Sequence, residues 1–131
     1  MTDFFNKTDL SRNDAEKIIS ETLNNCDDGE LYLENSKSES IVLDDGKIKN
    51  STYSSDLGYG LRAVTGEVVA YSHSNEISKN SLKQSANNLS STLKSKKGVY
   101  NHEIPKTNGQ FYKNINPIEE KSLQSKLELL K

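Results

Sequence analysis

The chain has 131 residues and a formal net charge of −2, a length that fits one domain burying roughly two-thirds of its unfolded surface. Leu, Ile, Val and Phe supply 30 residues, just above the ~20% at which disorder becomes the default, and the weak net charge gives little self-repulsion; a folded domain with a thin core is expected, or one whose core something else completes. A slightly acidic balance, with a pI near 5.7 and no basic face, argues against a nucleic-acid partner, and no run approaches the ~18 apolar residues that cross a bilayer.

The first predicted helix covers residues 11–28. Ser11 with Asp14 forms an approximate capping box, flanked by Leu10 and Ala15 as a hydrophobic staple. Ala15, Ile18, Ile19, Thr22, Leu23 and Cys26 follow at helical spacing, and Gly29 is expected to stop the helix. Cys26 closes the apolar stripe and reads as a small core residue, not a reactive thiol. As the sole cysteine it excludes an internal disulfide and suits a reducing compartment. The opening MTDFFNKTDL has neither a basic start nor a long apolar stretch, so no signal peptide is expected and a soluble cytoplasmic protein is.

Strands are predicted within residues 30–73. Leu31 and Leu33 share one face, Ile41 and Leu43 another pair, with the polar run Asn35 to Ser40 between them. This suggests one long strand interrupted by a bulge, or two short ones; the bulged strand is favoured. Asp44-Asp45-Gly46 reads as a hairpin turn, returning as the polar strand Lys47 to Ser54, which suits an edge. A third strand starts at Asp56, and Thr65-Gly66-Glu67 turns it into a fourth, Val68 to Ser72. Loops this short make all four strands antiparallel neighbours, a meander. In the third strand Leu57, Tyr59, Leu61 and Ala63 alternate with Gly58, Gly60, Arg62 and Val64. Two glycines on one face imply that something approaches closely. That something is either a packed helix or, with Gly58, Gly60 and Arg62 as an interface, a missing domain or a peptide.

A second helix is predicted over residues 78–93, with Ile77 and Leu82 as staple around a Ser78 cap and Leu82, Ala86, Leu89 and Leu93 as its stripe. Lys94, Lys96 and Lys97 suit its C-terminal dipole and Gly98 its end. Residues 98–116 read as irregular, with Tyr100, Phe111 and Tyr112 as anchors. Asn116-Pro117 then opens a third helix, 117–131, with Glu119 and Glu120 in its first turn. Its stripe is Leu123, Leu127 and Leu130, while Ile118 and Leu129 project elsewhere and form a candidate face for a missing partner. The fold class expected is α+β: a four-stranded antiparallel meander with the first two helices on one face and a C-terminal helix, an incomplete piece of a larger domain.

Catalytic constellations are lacking. A helical zinc peptidase site needs two His on one helix face with a Glu, whereas the chain has only His73 and His102, and Pro105 follows His102 too soon. No Ser sits in a Gly-x-Ser-x-Gly elbow, and Gly58-x-Gly60 lacks the third glycine of a dinucleotide loop. No catalytic, cofactor-binding or metal-binding residue is therefore expected.

Several pieces in order carry a family resemblance: Gly29-Glu30-Leu31-Tyr32, Glu39-Ser40, Val42-Leu43-Asp44-Asp45-Gly46, Gly58-Tyr59-Gly60-Leu61-Arg62-Ala63, Thr65-Gly66-Glu67, Ala70-Tyr71, Glu76-Ile77-Ser78, and Leu82 with Ser85-Ala86. A weaker echo includes Tyr112, Asn116-Pro117-Ile118 and Glu119-Glu120-Lys121. Together they resemble the first portion of the N-terminal domain of the TldD/PmbA (TldD/TldE) metallopeptidases, also described as modulators of DNA gyrase. The resemblance implies a cytosolic TldD–TldE complex acting on unfolded proteins and peptides and maturing peptide antibiotics. It also implies zinc held in a C-terminal domain by a His-Glu-x-x-x-His helix and a further Cys, none of which maps onto this chain. The expected role is a non-catalytic N-terminal part serving as scaffold, subunit contact or substrate access. Its partners would be the rest of a TldD-type chain, a TldE-type subunit and the peptide substrate. The alternative is a free-standing protein- or peptide-binding module without proteolysis.

Overall fold

Ser11 has extended backbone and its hydroxyl oxygen accepts from the Asp14 amide at 3.0 Å, which starts helix α1 (Arg12–Leu23) where the capping box predicts. The staple residues Leu10 and Ala15 are both buried. A computed structural model describes residues 4–6, 8–93 and 115–131. In it the order is α1, β1 (Asp28–Asp44), β2 (Lys47–Thr65), β3 (Val68–Ser74), α2 (Lys79–Leu93) and α3 (Leu123–Leu129). The three strands form one antiparallel sheet in the order β1-β2-β3.

Helix α1 is shorter than residues 11–28. It ends at Leu23 with Asn24 as cap, and the Cys26 amide bonds back to the Leu23 carbonyl at 2.9 Å. Gly29 is no helix stop but the second residue of β1. A Cβ there would lie 2.3 Å from Leu23 Cδ2 and 2.8 Å from the Arg62 carbonyl oxygen. The missing side chain lets α1 seat on the sheet. Asp27 ties the junction down, accepting from the Gly66 amide at 2.6 Å.

The expected four strands are three, because Lys47–Ser54 and the strand from Asp56 are one 19-residue strand, β2. The polar stretch Ser51 to Asp56 resembles a break, but both faces of this half of the hairpin are largely exposed. Its ladder with β1 needs no apolar alternation to persist. β1 is likewise continuous, and its polar run stays in register. The bulge falls instead near the tip, where Val42 faces Asn50 and Leu43 faces Ile48, leaving Lys49 extra on β2. Asp45 (φ 49°) and Gly46 (φ 70°) close the tip with both central residues left-handed, the geometry that suits strand twist. Since β3 pairs with Tyr59–Thr65, the distal half of the β1–β2 hairpin is a two-stranded arm among the described residues.

Both longer helices pack on the same face of the sheet, as expected. That face offers Tyr59, Leu61, Ala63 and Ala70 to Ile18 and Leu23 of α1 and to Leu82, Ala86, Leu89 and Leu93 of α2, all buried. The Tyr59 hydroxyl lies 2.8 Å from Ser81 Oγ and 2.9 Å from Ser85 Oγ, and Ser72 Oγ donates to Ser85 Oγ at 3.0 Å. These bonds satisfy the one buried phenol among the described residues. Ser78 caps α2, accepting from the Ser81 amide at 3.1 Å, with Ile77 and Leu82 buried as staple.

The helices are also cross-linked by Lys79 Nζ to Asp14 Oδ1 at 2.7 Å. Lys79 first, then the Ser11 hydroxyl, hold the Asp14 carboxyl below its usual 3.8. A carboxyl depressed in the folded state stabilises the fold above its unfolded pKa and loses that contribution as pH falls through the folded one. Urea midpoints of the native protein should therefore drop between 3.8 and more acidic pH, and Asp14→Asn should flatten that limb. A parallel decline in the variant would assign the acid sensitivity elsewhere.

At the C-terminus the helix begins later than the expected 117–131. Asn116 caps only a turn, accepting from the Ile118 amide at 3.2 Å; Ser122 is the true N-cap of α3, accepting from Ser125 at 3.2 Å. The run Glu119 to Ser122 favours a turn followed by a fresh cap over a continuous helix from Pro117. The lysine cluster after Leu93, residues 98–114 of the predicted irregular stretch, and His102 lie outside the described residues.

Candidate interaction surface

With the helices occupying one face, the opposite face of the sheet is left uncovered by the described residues. Register places Asp28, Glu30, Tyr32 and Glu34 of β1 there, beside Asp56, Gly58, Gly60 and Arg62 of β2 and Val69, Tyr71 and His73 of β3. Its aromatic residues are large and wet: Tyr32 is 60% and Tyr71 64% exposed, next to Val69 at 58%. Gly58, Gly60 and Arg62 thus share one face, but no helix among the described residues packs on it. The close approaches come from the sheet itself. A Cβ at Gly60 would lie 2.6 Å from the Tyr71 hydroxyl, so the Tyr71 ring leans across the bare backbone. One at Gly58 would meet the Ser74 carbonyl oxygen at 2.8 Å, where the chain leaves β3.

Arg62 is committed to its neighbours. Its Nε donates to Glu30 Oε1 at 2.9 Å and its Nη2 to Asp28 Oδ2 at 2.8 Å. Both carboxylates, Glu30 foremost, push its already high pKa upward. Tyr32 Oη donates to Glu34 Oε2 at 3.0 Å, and that carboxylate raises the phenol pKa. His73 stacks on Tyr71, with ring centroids 5.9 Å apart. A pocket of 220 Å³ lies over Gly58 and Gly60, walled by Tyr32 and Tyr71 and edged by Glu34 and Asp56. Sequence alternation selects the glycines and Arg62 but not these four residues. Their signal is cross-strand register, which sets Tyr32 opposite Gly60 and Glu34 opposite Gly58.

The second candidate face divides. Ile118 is half-buried, and its carbonyl accepts from Lys126 Nζ at 2.6 Å. Leu129 is 70% exposed. Leu123 and Leu130 of the expected buried stripe are also exposed. The C-terminal segment meets the arm through charge instead: Lys37 pairs with Glu119 at 2.8 Å, and Lys126 with Glu39. Cys26 is buried, its thiol near the Thr22 carbonyl at 3.7 Å. Among the described residues no three His, Cys, Asp or Glu side chains are grouped to hold a metal, and no helix is long and apolar enough to cross a membrane.

A family model described as PmbA/TldA metallopeptidase domain 1 matches residues 29–92, the sheet from its second residue onward and all of α2 but its last residue. A protein named metalloprotease TldD homolog from Buchnera aphidicola subsp. Acyrthosiphon pisum is 37% identical over 105 residues, covering 79% of this chain and 22% of its own length. Its Haemophilus influenzae namesake is 35% identical over 112 residues, covering 81% of this chain and 23% of its own. Another, from Buchnera aphidicola subsp. Schizaphis graminum, is 32% identical over 107 residues, 81% and 22% respectively. The chain therefore spans less than a quarter of these curated relatives.

Proposed function

The chain belongs to the PmbA/TldD metallopeptidase family, of which it carries the first domain, and we propose that it is the non-catalytic N-terminal part of a TldD-type zinc peptidase. Its task in this reading is scaffolding, contact with a TldE-type subunit and with the rest of a TldD-type chain, and admission of peptide substrate, in the cytoplasm. The observation that carries the reading is the one-sided sheet. Helices bury one face, while the other presents Tyr32, Val69 and Tyr71 to solvent. Clustered exposed apolar side chains mark interaction surfaces.

The metal implied by the family name does not fit the described residues. Cys26 is sealed in the core and His73 is stacked on Tyr71; neither has companions for a tetrahedral site. No bond-breaking step runs through these side chains, and in this reading zinc belongs to another part of the parent protein.

Metal analysis after dialysis, with a peptidase assay of the same sample, tests this. The chain alone should hold no stoichiometric zinc and cleave no peptide, yet be retained by a TldE-type subunit. One tightly bound zinc per chain with chelator-sensitive cleavage would overturn the non-catalytic role.

A further inference from the structure

We propose that the pocket over Gly58 and Gly60 receives a basic side chain, lysine or arginine, from a polypeptide partner. Its floor is the two glycines, where the absent side chains leave room for the Tyr71 hydroxyl over Gly60 and the Ser74 carbonyl over Gly58. Its walls are the tyrosines: Tyr32 faces Gly60 across the β1–β2 ladder, and the Tyr71 ring reaches over Gly60 from β3. Aromatic faces attract cations, and they accept the methylene stem that carries the charge.

Charge on this face decides between ligand classes. Arg62 is taken up by pairing with both Asp28 and Glu30, which leaves that cluster net negative. Among the described residues the Glu34 carboxylate receives only the Tyr32 hydroxyl, and the Asp56 carboxylate has no side-chain hydrogen bond or ion pair. Gly58 lies directly opposite Glu34, and Asp56 is two residues along the same strand face. Two carboxylates without a cation thus stand at diagonal positions beside two tyrosine rings. An acidic ligand would be repelled, and an apolar one would strip water from the carboxylates without replacing it. A lysine or arginine satisfies stem and charge together. A polypeptide source is favoured because β2 continues beyond Gly58 with no neighbour on its β3 side among the described residues. That backbone edge adjoins the pocket and can bond an extended main chain.

The inference rests on reading the open face as a contact surface, and the two fail separately. Peptidase activity in the isolated chain would remove the non-catalytic role and leave the pocket standing; absent basic-peptide binding would do the reverse. The experiment is a titration of the ¹⁵N-labelled full chain with acetyl-Ala-Lys-Ala-amide, its arginine, norleucine and glutamate counterparts, and butylammonium. Lysine and arginine peptides should shift the Gly58 and Gly60 amide signals, with roughly tenfold weaker binding for norleucine and none for glutamate. Added salt should weaken binding. The Glu34→Gln, Asp56→Asn double variant should abolish the preference for lysine over norleucine while keeping the wild-type dispersion of Leu61 and Ala63 signals, which certifies its fold. Equal binding of norleucine, shifts confined to other residues, or an unchanged preference in the folded double variant would each overturn the proposal. Butylammonium binding as tightly as the lysine peptide would overturn the polypeptide source.

Discussion

Replacing Leu82 by Ala is expected to lower stability by about 2–5 kcal/mol, the range for emptying a buried leucine site in a packed core. Leu82 is fully buried in the first turns of α2, where it belongs to the same cluster as Leu10, Leu61 and Leu89. The staple with Ile77 fixes where the chain enters the helix, so truncation both opens a cavity and loosens the α2 entry. The consequence is large because the ledger is small. A domain of this kind has about 5–15 kcal/mol in total, and much of this chain lies in an arm that buries little. Urea unfolding at constant slope gives the measurement. Leu129→Ala is the matched control: at 70% exposure it should stay within about 0.5 kcal/mol of the native protein. Equal losses for the two would mean that α2 is not docked as described.

Local signals carried the helices and turns because each is decided by a few neighbouring atoms. Ser11 and Ser78 cap where a hydroxyl before an apolar stripe must, and the tip of the hairpin needs positive φ at Gly46. The sheet was less legible. A strand exposed on both faces has no alternation to read, so the polar middle of β2 resembled a gap between two strands. Gly29 resembled a helix stop because an αL cap and a close helix–sheet contact ask for the same residue. Gly58 and Gly60 announced a close approach without naming the visitor. Only register shows that Tyr71 leans over one and the Ser74–Asn75 turn over the other. The pocket they floor depends on pairings between residues far apart in sequence, which no local pattern encodes. The C-terminal segment misled for a related reason. Its leucine spacing predicts burial, whereas its attachment to the arm runs through charged side chains 82 and 87 residues apart.

That attachment makes Lys126 the residue on which the order of α3 depends. A seven-residue helix is too short to persist alone in water, and none of its leucines is fully buried. Lys126 Nζ donates to both Glu39 on the arm and the Ile118 carbonyl, bringing helix, preceding turn and arm together. The Lys126 and Glu39 side chains are only 19% and 21% exposed, so the pair falls between a surface ion pair worth at most about 1 kcal/mol and a buried one costing roughly 3–5 kcal/mol to break. Lys126→Met should cost α3 about 2 kcal/mol of local stability, since Glu39 keeps its charge and loses its partner. Every 1.4 kcal/mol is tenfold, so α3 amides should exchange roughly thirtyfold faster. Those of Leu61 to Ala70, expected to be the slower set in the native protein, should not change. Exchanging the two charges, Glu39→Lys with Lys126→Glu, should recover part of the protection because the pair is re-formed in reverse. The recovery stays partial, since a glutamate cannot donate to the Ile118 carbonyl. If Lys126→Met leaves α3 exchange unchanged at low protein concentration, apolar contacts hold the segment instead, and the expectation that its leucines need burial would regain its force.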